Sequence, residues 1–225
     1  SPTPRPTGAT GAGTWANFTL SRDVTALGYD ATHNQIWAGT TSGLVMWDIK
    51  GHTSTKATVA DGLLNNAVTA VGVDKDGAIW VGHENGVSVS EDGKRWQALR
   101  SEDAVVDVTV SAIVRDAEGG TWFGTTTGLI HRSVDGAFER VESPDALVDA
   151  PIPCAMRDGA GNLWFGTDGQ GLVERTKDGQ WKVLTSADGL PDDGVFSLAI
   201  DASGRLWAGT GAGLARLEPS GQWTV

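Results

Sequence analysis

The sequence predicts an all-β chain, and three observations predict it. A Trp-x-Gly segment recurs five times: Ile36-Trp37-Ala38-Gly39-Thr40, Ile79-Trp80-Val81-Gly82-His83, Thr121-Trp122-Phe123-Gly124-Thr125, Leu163-Trp164-Phe165-Gly166-Thr167 and Leu206-Trp207-Ala208-Gly209-Thr210. Successive tryptophans lie 43, 42, 42 and 43 residues apart. Glycine is frequent, at 31 of 225 residues, and the 10 tryptophans far outnumber the single tyrosine. That profile suits short strands joined by tight turns, with one bulky residue type in a repeated packing role. No helical apolar period of useful length runs through the chain. Repeats of forty-odd residues with this density of turns are the signature of four-stranded blades, and so of a β-propeller.

Each unit divides into strands A to D at its turns. Strand A is an apolar run such as Val195-Phe196-Ser197-Leu198-Ala199-Ile200. An aspartate turn follows, at Asp74-Lys75-Asp76-Gly77, Asp116-Ala117-Glu118-Gly119, Asp158-Gly159-Ala160-Gly161 and Asp201-Ala202-Ser203-Gly204. The first unit has Asn34 where the others have that glycine, and Asn is the next-best residue for positive φ. Strand B carries the Trp. A turn ending on glycine then opens strand C, at Gly43-Leu44, Gly86-Val87, Gly128-Leu129, Gly171-Leu172 and Gly213-Leu214. Strand D is exemplified by Gln180-Trp181-Lys182-Val183-Leu184.

A twisted four-stranded sheet cannot cover its own faces, so neighbouring blades must bury each other. One Trp can bury about 150–250 Å², worth about 4–6 kcal/mol at about 25 cal/mol/Å². Trp37, Trp80, Trp122, Trp164 and Trp207 are therefore expected as structural anchors, one per blade interface. The glycine two residues later removes a side chain where the adjacent sheet comes close.

Residues 1–13 are rich in Pro, Thr and Gly and read as a flexible tether of the kind left when an export signal or anchor is removed. Residues 14–225 read as one propeller domain of five repeats. Thr14–Thr19 is a surplus strand resembling strand D, so closure has two readings: a five-bladed ring, or a fragment of a six-bladed or larger propeller.

The net charge of −11 and pI near 4.6 exclude a phosphate-binding surface, which needs clustered Lys and Arg, and so exclude nucleic acid as a partner. No stretch reaches the ~18 apolar residues of a membrane span. Cys154 is the only cysteine, so an intrachain disulfide is impossible; in the apolar run Ile152–Met156 it reads as a small buried hydrophobe.

The pattern Gly-x-Leu-Trp-x-Gly-Thr-x-x-Gly-Leu, preceded by Asp-Gly-Leu-Pro and an Asp-x-x-Gly turn, resembles the two-component regulator propeller repeat. Its best copy runs from Asp188-Gly189-Leu190-Pro191 to Gly213-Leu214, and Asp61-Gly62-Leu63-Leu64 opens a second. The resemblance covers about residues 20–225. It implies an extracellular or periplasmic bacterial propeller that senses ligands, often sugars, ahead of a signalling module; this sequence carries five repeats and no signalling segment. Ser90-Glu91-Asp92-Gly93-Lys94-Arg95-Trp96 also fits the Asp-box of sialidase-like propellers, a hairpin-turn feature that implies no glycosidase activity, and Ser133-Val134-Asp135-Gly136 fits it in part.

Ligands of propellers meet the loops that vary while the blades hold them. Aligning the five A strands places Ser21, Asn65, Asp107, Asp149 and Asp192 three residues before them, beside Arg22, Asp23, Asn66 and Asp193. Short carboxylates and amides around a channel mouth suit sugar hydroxyls or a cation. The competing reading makes them turn residues that satisfy loop backbone. No Asp-x-Asp-x-Asp loop supports calcium, and no cofactor or metal is expected. His33, His52, His83 and His131 share no motif with a nucleophile; His83, in place of the repeat's threonine, reads as a surface variant. The sequence thus predicts a non-catalytic module for a glycan or small polar ligand. The alternatives are a protein-interaction scaffold using the apolar loops Ser101–Thr109 and Glu142–Pro151, and a glycosidase or lyase using pairs such as Asp107 with Asp149.

Overall fold

A computed structural model of the protein describes residues 23–74, 76–99, 108–142 and 144–224. Ser21, Arg22 and Asp107, the tether, the surplus strand Thr14–Thr19 and most of the Ser101–Thr109 loop lie outside these residues. Five antiparallel sheets of four strands each are present, every one in the order A-B-C-D. Blade 1 comprises Val24–Asp30, Gln35–Thr40, Gly43–Asp48 and Thr53–Ala57. Blade 2 comprises Ala70–Val73, Ile79–His83, Gly86–Ser90 and Gln97–Leu99. Blade 3 comprises Val110–Arg115, Thr121–Thr125, Gly128–Arg132 and Phe138–Arg140. Blade 4 comprises Cys154–Arg157, Leu163–Gly166, Leu172–Arg175 and Trp181–Leu184. Blade 5 comprises Val195–Ile200, Leu206–Thr210, Gly213–Leu217 and Trp223–Thr224. No helix among the described residues is long and apolar enough to cross a membrane.

The aspartate turn does more than reverse the chain. In blade 4 one Asp158 oxygen accepts the Ala160 and Asn162 amides, and the other accepts the Trp164 indole N–H at 3.0 Å. Asp116 and Asp201 hold Trp122 and Trp207 in the same way, at 2.9 and 3.1 Å. The Asp therefore fixes both the turn and the ring that packs the next blade. Burial acts to raise the Asp158 pKa, but the hydrogen bonds from Trp164 and Asn162 outweigh it and the pKa falls. Asn34 sits at φ 55°, as its place in the turn requires.

Packing runs forward from blade to blade. Trp37 clusters with Val68, Ile79 and Val81 of blade 2, Trp80 with Val110 and Phe123 of blade 3, and Trp122 with Ile152, Leu163 and Phe165 of blade 4. Trp164 clusters with Val195, Leu206 and Ala208 of blade 5. Polar stitches join the same pairs of blades in both directions. The amides of Val68, Ile152 and Val195 donate to the repeat threonine carbonyls of Thr40, Thr125 and Thr167 in the blade before. Thr25 Oγ1 donates to Val68 O at 2.6 Å, Thr69 Oγ1 to Val110 O at 2.6 Å, and Ser111 Oγ to Ile152 O at 2.8 Å. Cys154 takes the next place in this series, its Sγ 3.6 Å from Val195 O. Burial raises the Cys154 thiol pKa to about 12, which keeps it protonated and without nucleophilic character at neutral pH.

Two expectations need correction here. Trp207 is not an interface anchor: it is half-buried, with Arg216 of its own blade 5.3 Å over its ring, and among the described residues no blade packs in front of it. The five expected blades are present, but among the described residues blade 5 is not packed against blade 1. The contacts join blades 1–2, 2–3, 3–4 and 4–5.

His83 also departs from expectation, since it is fully buried. Its Nδ1 lies 3.1 Å from Ala67 O and its Nε2 3.0 Å from Ser88 Oγ, which in turn accepts the Leu64 amide. Where Thr40, Thr125, Thr167 and Thr210 tie the B–C turn to itself, His83 ties it to the loop between blades 1 and 2. Burial lowers its pKa despite the hydrogen bond to Ala67. The unfolded chain therefore takes up this proton first as pH falls below about 6.5, and stability drops as the solution is acidified through that value. A His83→Thr chain is expected to lose this component: its melting temperature should fall less than wild type between pH 7.5 and 5.5 in calorimetry.

Candidate functional site

The predicted mouth residues within the described chain are engaged by their own loops. Asn65 Oδ1 accepts the Ala67 amide at 3.0 Å, and Asp192 Oδ1 accepts the Gly194 amide at 2.7 Å. Asn66 Oδ1 accepts the Val59 amide at 2.9 Å, and its counterpart Asp193 accepts the Ser186 amide at 2.6 Å. These bonds clamp the short 3-10 turns Val59–Asp61 and Ser186–Asp188, whose capping boxes are Thr58 with Asp61 and Thr185 with Asp188. Asp149 is exposed, at φ 55°, and pairs with Arg140 at 2.8 Å; Asp23 is exposed. No hydrogen bond joins any two of these residues among those described. In the Glu142–Pro151 loop Leu147 turns fully into the core between blades 3 and 4, leaving Val148 exposed.

The other end of the A strands brings different groups together. Arg115 and Arg157 end the A strands of blades 3 and 4, where the equivalent residues of blades 1, 2 and 5 are Tyr29, Val73 and Ile200. Arg115 crosses to the blade 2 turn and pairs with Asp74 at 2.6 Å. Arg157 does the same one blade on, donating to the Asp116 carbonyl at 3.0 Å, and has no ion pair among the described residues. They border a cleft of about 280 Å³ along the A strands of blades 2, 3 and 4.

Arg115 changes the blade 2 turn. Because Asp74 spends its second oxygen on Arg115, the Trp80 indole N–H lacks the carboxylate that holds Trp122, Trp164 and Trp207. Trp80 Nε1 is buried with no protein partner. In blade 3, Arg132 reaches back over the Trp80 ring at 5.5 Å, and its Nε is also buried without a partner. Trp37, Trp96 and Trp223 have unpartnered indole nitrogens too. Trp80 and Arg132 both border a groove of about 610 Å³ between blades 2 and 3, together with Asp74, Asp76, Glu91 and Gln97, as Trp37 and Trp96 both border another. An unmet buried donor costs about 1–3 kcal/mol, which an acceptor reaching either nitrogen would relieve. The signals in the sequence were the two arginines in an apolar repeat position and Arg132 in strand C. Neither stands out until the blades are stacked.

Comparison with known proteins decides the repeat type. A family model for the two component regulator propeller matches residues 62–85, 146–169 and 189–212. These three segments match the two-component regulator propeller repeat. No curated protein sequence matches it. Among solved structures, the extracellular domain of a hybrid two component system from B. thetaiotaomicron is 20% identical with a TM-score of 0.73, covering 90% of this chain and 28% of its own. Virginiamycin B lyase from Staphylococcus aureus is 13% identical with a TM-score of 0.69, covering 89% of this chain and 68% of its own. YCF48 bound to D1 peptide is 18% identical with a TM-score of 0.65, covering 94% and 70%. At these identities the likeness is one of fold, and the chain spans little more than a quarter of the two-component system's chain.

Proposed function

We propose that this two-component regulator propeller is a non-catalytic extracellular or periplasmic sensing module, and that the groove between blades 2 and 3 takes a saccharide bearing a carboxylate. The observation that carries the reading is the pair of unmet donors, Trp80 Nε1 and Arg132 Nε, on two residues that border one groove. Trp80 supplies an aromatic body for a sugar ring, the two N–H groups supply donors for its oxygens, and Glu91, Asp76 and Gln97 supply acceptors for hydroxyls. A guanidinium favours carboxylate over neutral oxygen.

A non-catalytic role agrees with the chemistry of the site. His83 is locked between Ala67 and Ser88, Cys154 is a high-pKa thiol, and each Asp116 oxygen already accepts a hydrogen bond. The loop residues Asn65, Asn66, Asp149, Asp192 and Asp193 remain the alternative contact set at the other face, suited to a neutral glycan. Titration calorimetry with oligogalacturonate and with its neutral galactose counterpart separates the two. The groove reading expects saturable binding of the acidic sugar, weakened about tenfold by Trp80→Phe, a loss of roughly 1.4 kcal/mol for one hydrogen bond. Binding of the neutral sugar alone, weakened by Asp192→Ala, would move the site to the loops; no binding of either would remove the saccharide reading.

A further inference from the structure

We propose that Arg115 is a positioning residue for the groove between blades 2 and 3: by holding Asp74 it keeps the Trp80 indole N–H free for a ligand oxygen. The ligand rests on the saccharide reading above, whereas the role of Arg115 comes from comparing the five copies of the aspartate turn.

The copies fall into two groups. In blades 3, 4 and 5 the aspartate accepts the indole of the Trp six residues on, at 2.9, 3.0 and 3.1 Å. In blades 1 and 2 it does not, and Trp37 Nε1 and Trp80 Nε1 are buried without a partner. In both of these another side chain has taken the second carboxylate oxygen: His33 Nδ1 lies 2.7 Å from Asp30, and Arg115 Nη1 lies 2.6 Å from Asp74. Blade 1 also has a longer turn, with seven residues from Asp30 to Trp37. Blade 2 keeps the six-residue spacing, so spacing does not account for its free indole. Nor does sharing the oxygen, because Asn162 and Arg205 share it with the indole in blades 4 and 5. Those two donors belong to the turn itself. Among the described residues, only Arg115 reaches such a carboxylate from the following blade.

Arg157 is the internal comparison. It stands at the same repeat position one blade on, yet its Nη1 donates to the Asp116 backbone carbonyl at 3.0 Å and leaves the carboxylate to Trp122. The difference lies in strand C. His131 pairs in register with Trp122, stacks on its ring at 4.2 Å and brings Nε2 to 3.7 Å from the oxygen that accepts the indole. The residue in that register beside Trp80 is Val89, which offers Asp74 no such group. The carboxylate of Asp74 is thus left to the guanidinium, whose charge-assisted bond is the stronger one. Arg115 is held there by a second bond, to the Gly119 carbonyl of its own turn. The two blade pairs therefore display two arrangements of one repeat: arginine on the carboxylate with the indole free, or arginine on the carbonyl with the indole taken. The Asp74 side chain is only 5% exposed, and a carboxylate so buried cannot be left unpaired cheaply. Without Arg115 it takes the Trp80 indole, as its three counterparts do, and the groove loses that donor.

Two measurements on the 225-residue protein test this. In nitrogen–proton correlation spectra of the ligand-free protein, Arg115→Met should move the Trp80 indole proton downfield. The shift should vanish when Asp74→Ala is added, since no carboxylate is then left to take the indole. Arg157→Met is the matched control and should leave the Trp122 indole proton in place. In titration calorimetry with oligogalacturonate, Arg115→Met should weaken binding about tenfold, as Trp80→Phe does. The two substitutions combined should also cost about tenfold, because both remove the same donor. The proposal is overturned if the Trp80 indole proton does not move in folded Arg115→Met protein. It is equally overturned if the two losses multiply to about a hundredfold, which would mean that Arg115 acts on the ligand through its charge. A wild-type protein that binds no oligogalacturonate, with the indole shift present, would remove the saccharide reading and still support the hold of Arg115 on Asp74.

Discussion

Trp122→Ala is expected to reduce the unfolding free energy by about 3–5 kcal/mol, a drop of about 10 °C or more in melting temperature for a chain of this length. The ring lies between two blades: it packs on Ile152, Leu163 and Phe165 ahead, stacks on His131 at 4.2 Å and carries Arg175 at 4.9 Å. Its removal would empty the centre of the blade 3–4 interface and leave the inner Asp116 oxygen without its donor. Trp207→Ala removes the same residue type from the same repeat position, yet should cost only about 1 kcal/mol. That ring is half-buried and faces no following blade among the described residues. Thermal denaturation of the two variants side by side tests whether the tryptophans act through the blade in front of them. Equal losses would show that the ring's role lies within its own sheet.

Gly166→Ala should be nearly as damaging, at about 2–3 kcal/mol. A Cβ there would lie 2.5 Å from both the Val195 carbonyl oxygen and Cys154 Sγ. The carbonyl cannot retreat, because it accepts the Cys154 stitch and belongs to the strand that docks blade 5 on blade 4. Gly159→Ala is the matched control: nothing lies within 4 Å of its added carbon, and its stability should stay within about 0.5 kcal/mol of wild type. Urea unfolding midpoints at equal m-value would separate the two.

The contrast between these glycines also shows which features were legible in the sequence. The Trp-x-Gly and Asp-x-x-Gly spacings gave all five blades, their strand order and the left-handed Asn34, because turn chemistry and repeat period act within a few residues. The Asp–Trp hydrogen bond spans six residues and follows from the same repeat once strands A and B are paired, though spacing alone did not suggest it. His83, Arg115 and Arg132 were misread or passed over for a different reason. Each acts across a loop or a blade boundary, on partners 16 to 52 positions away. Their meaning depends on which face of the sheet meets the neighbour. The ligand reading of Asn65, Asn66, Asp192 and Asp193 rested on residue type at aligned positions. The structure shows that the same types serve to clamp 3-10 turns, since a carboxylate or amide oxygen accepts a backbone amide as readily as a sugar hydroxyl.

Because the tryptophans of blades 1 to 4 pack on the blade that follows, each blade's last apolar surface is covered by residues made after it. On the ribosome, Trp37 waits for Val68 and Ile79, and Trp122 for Ile152 and Phe165. The nascent chain therefore always carries one sticky sheet face, sealed about forty residues later and replaced by the next. Such a chain acquires its shape from the amino end by successive capping, so a truncation should leave one poorly protected sheet at its carboxyl end whatever its length. In hydrogen exchange that places the fastest strand amides in blade 5 and the slowest in the blades flanked on both sides.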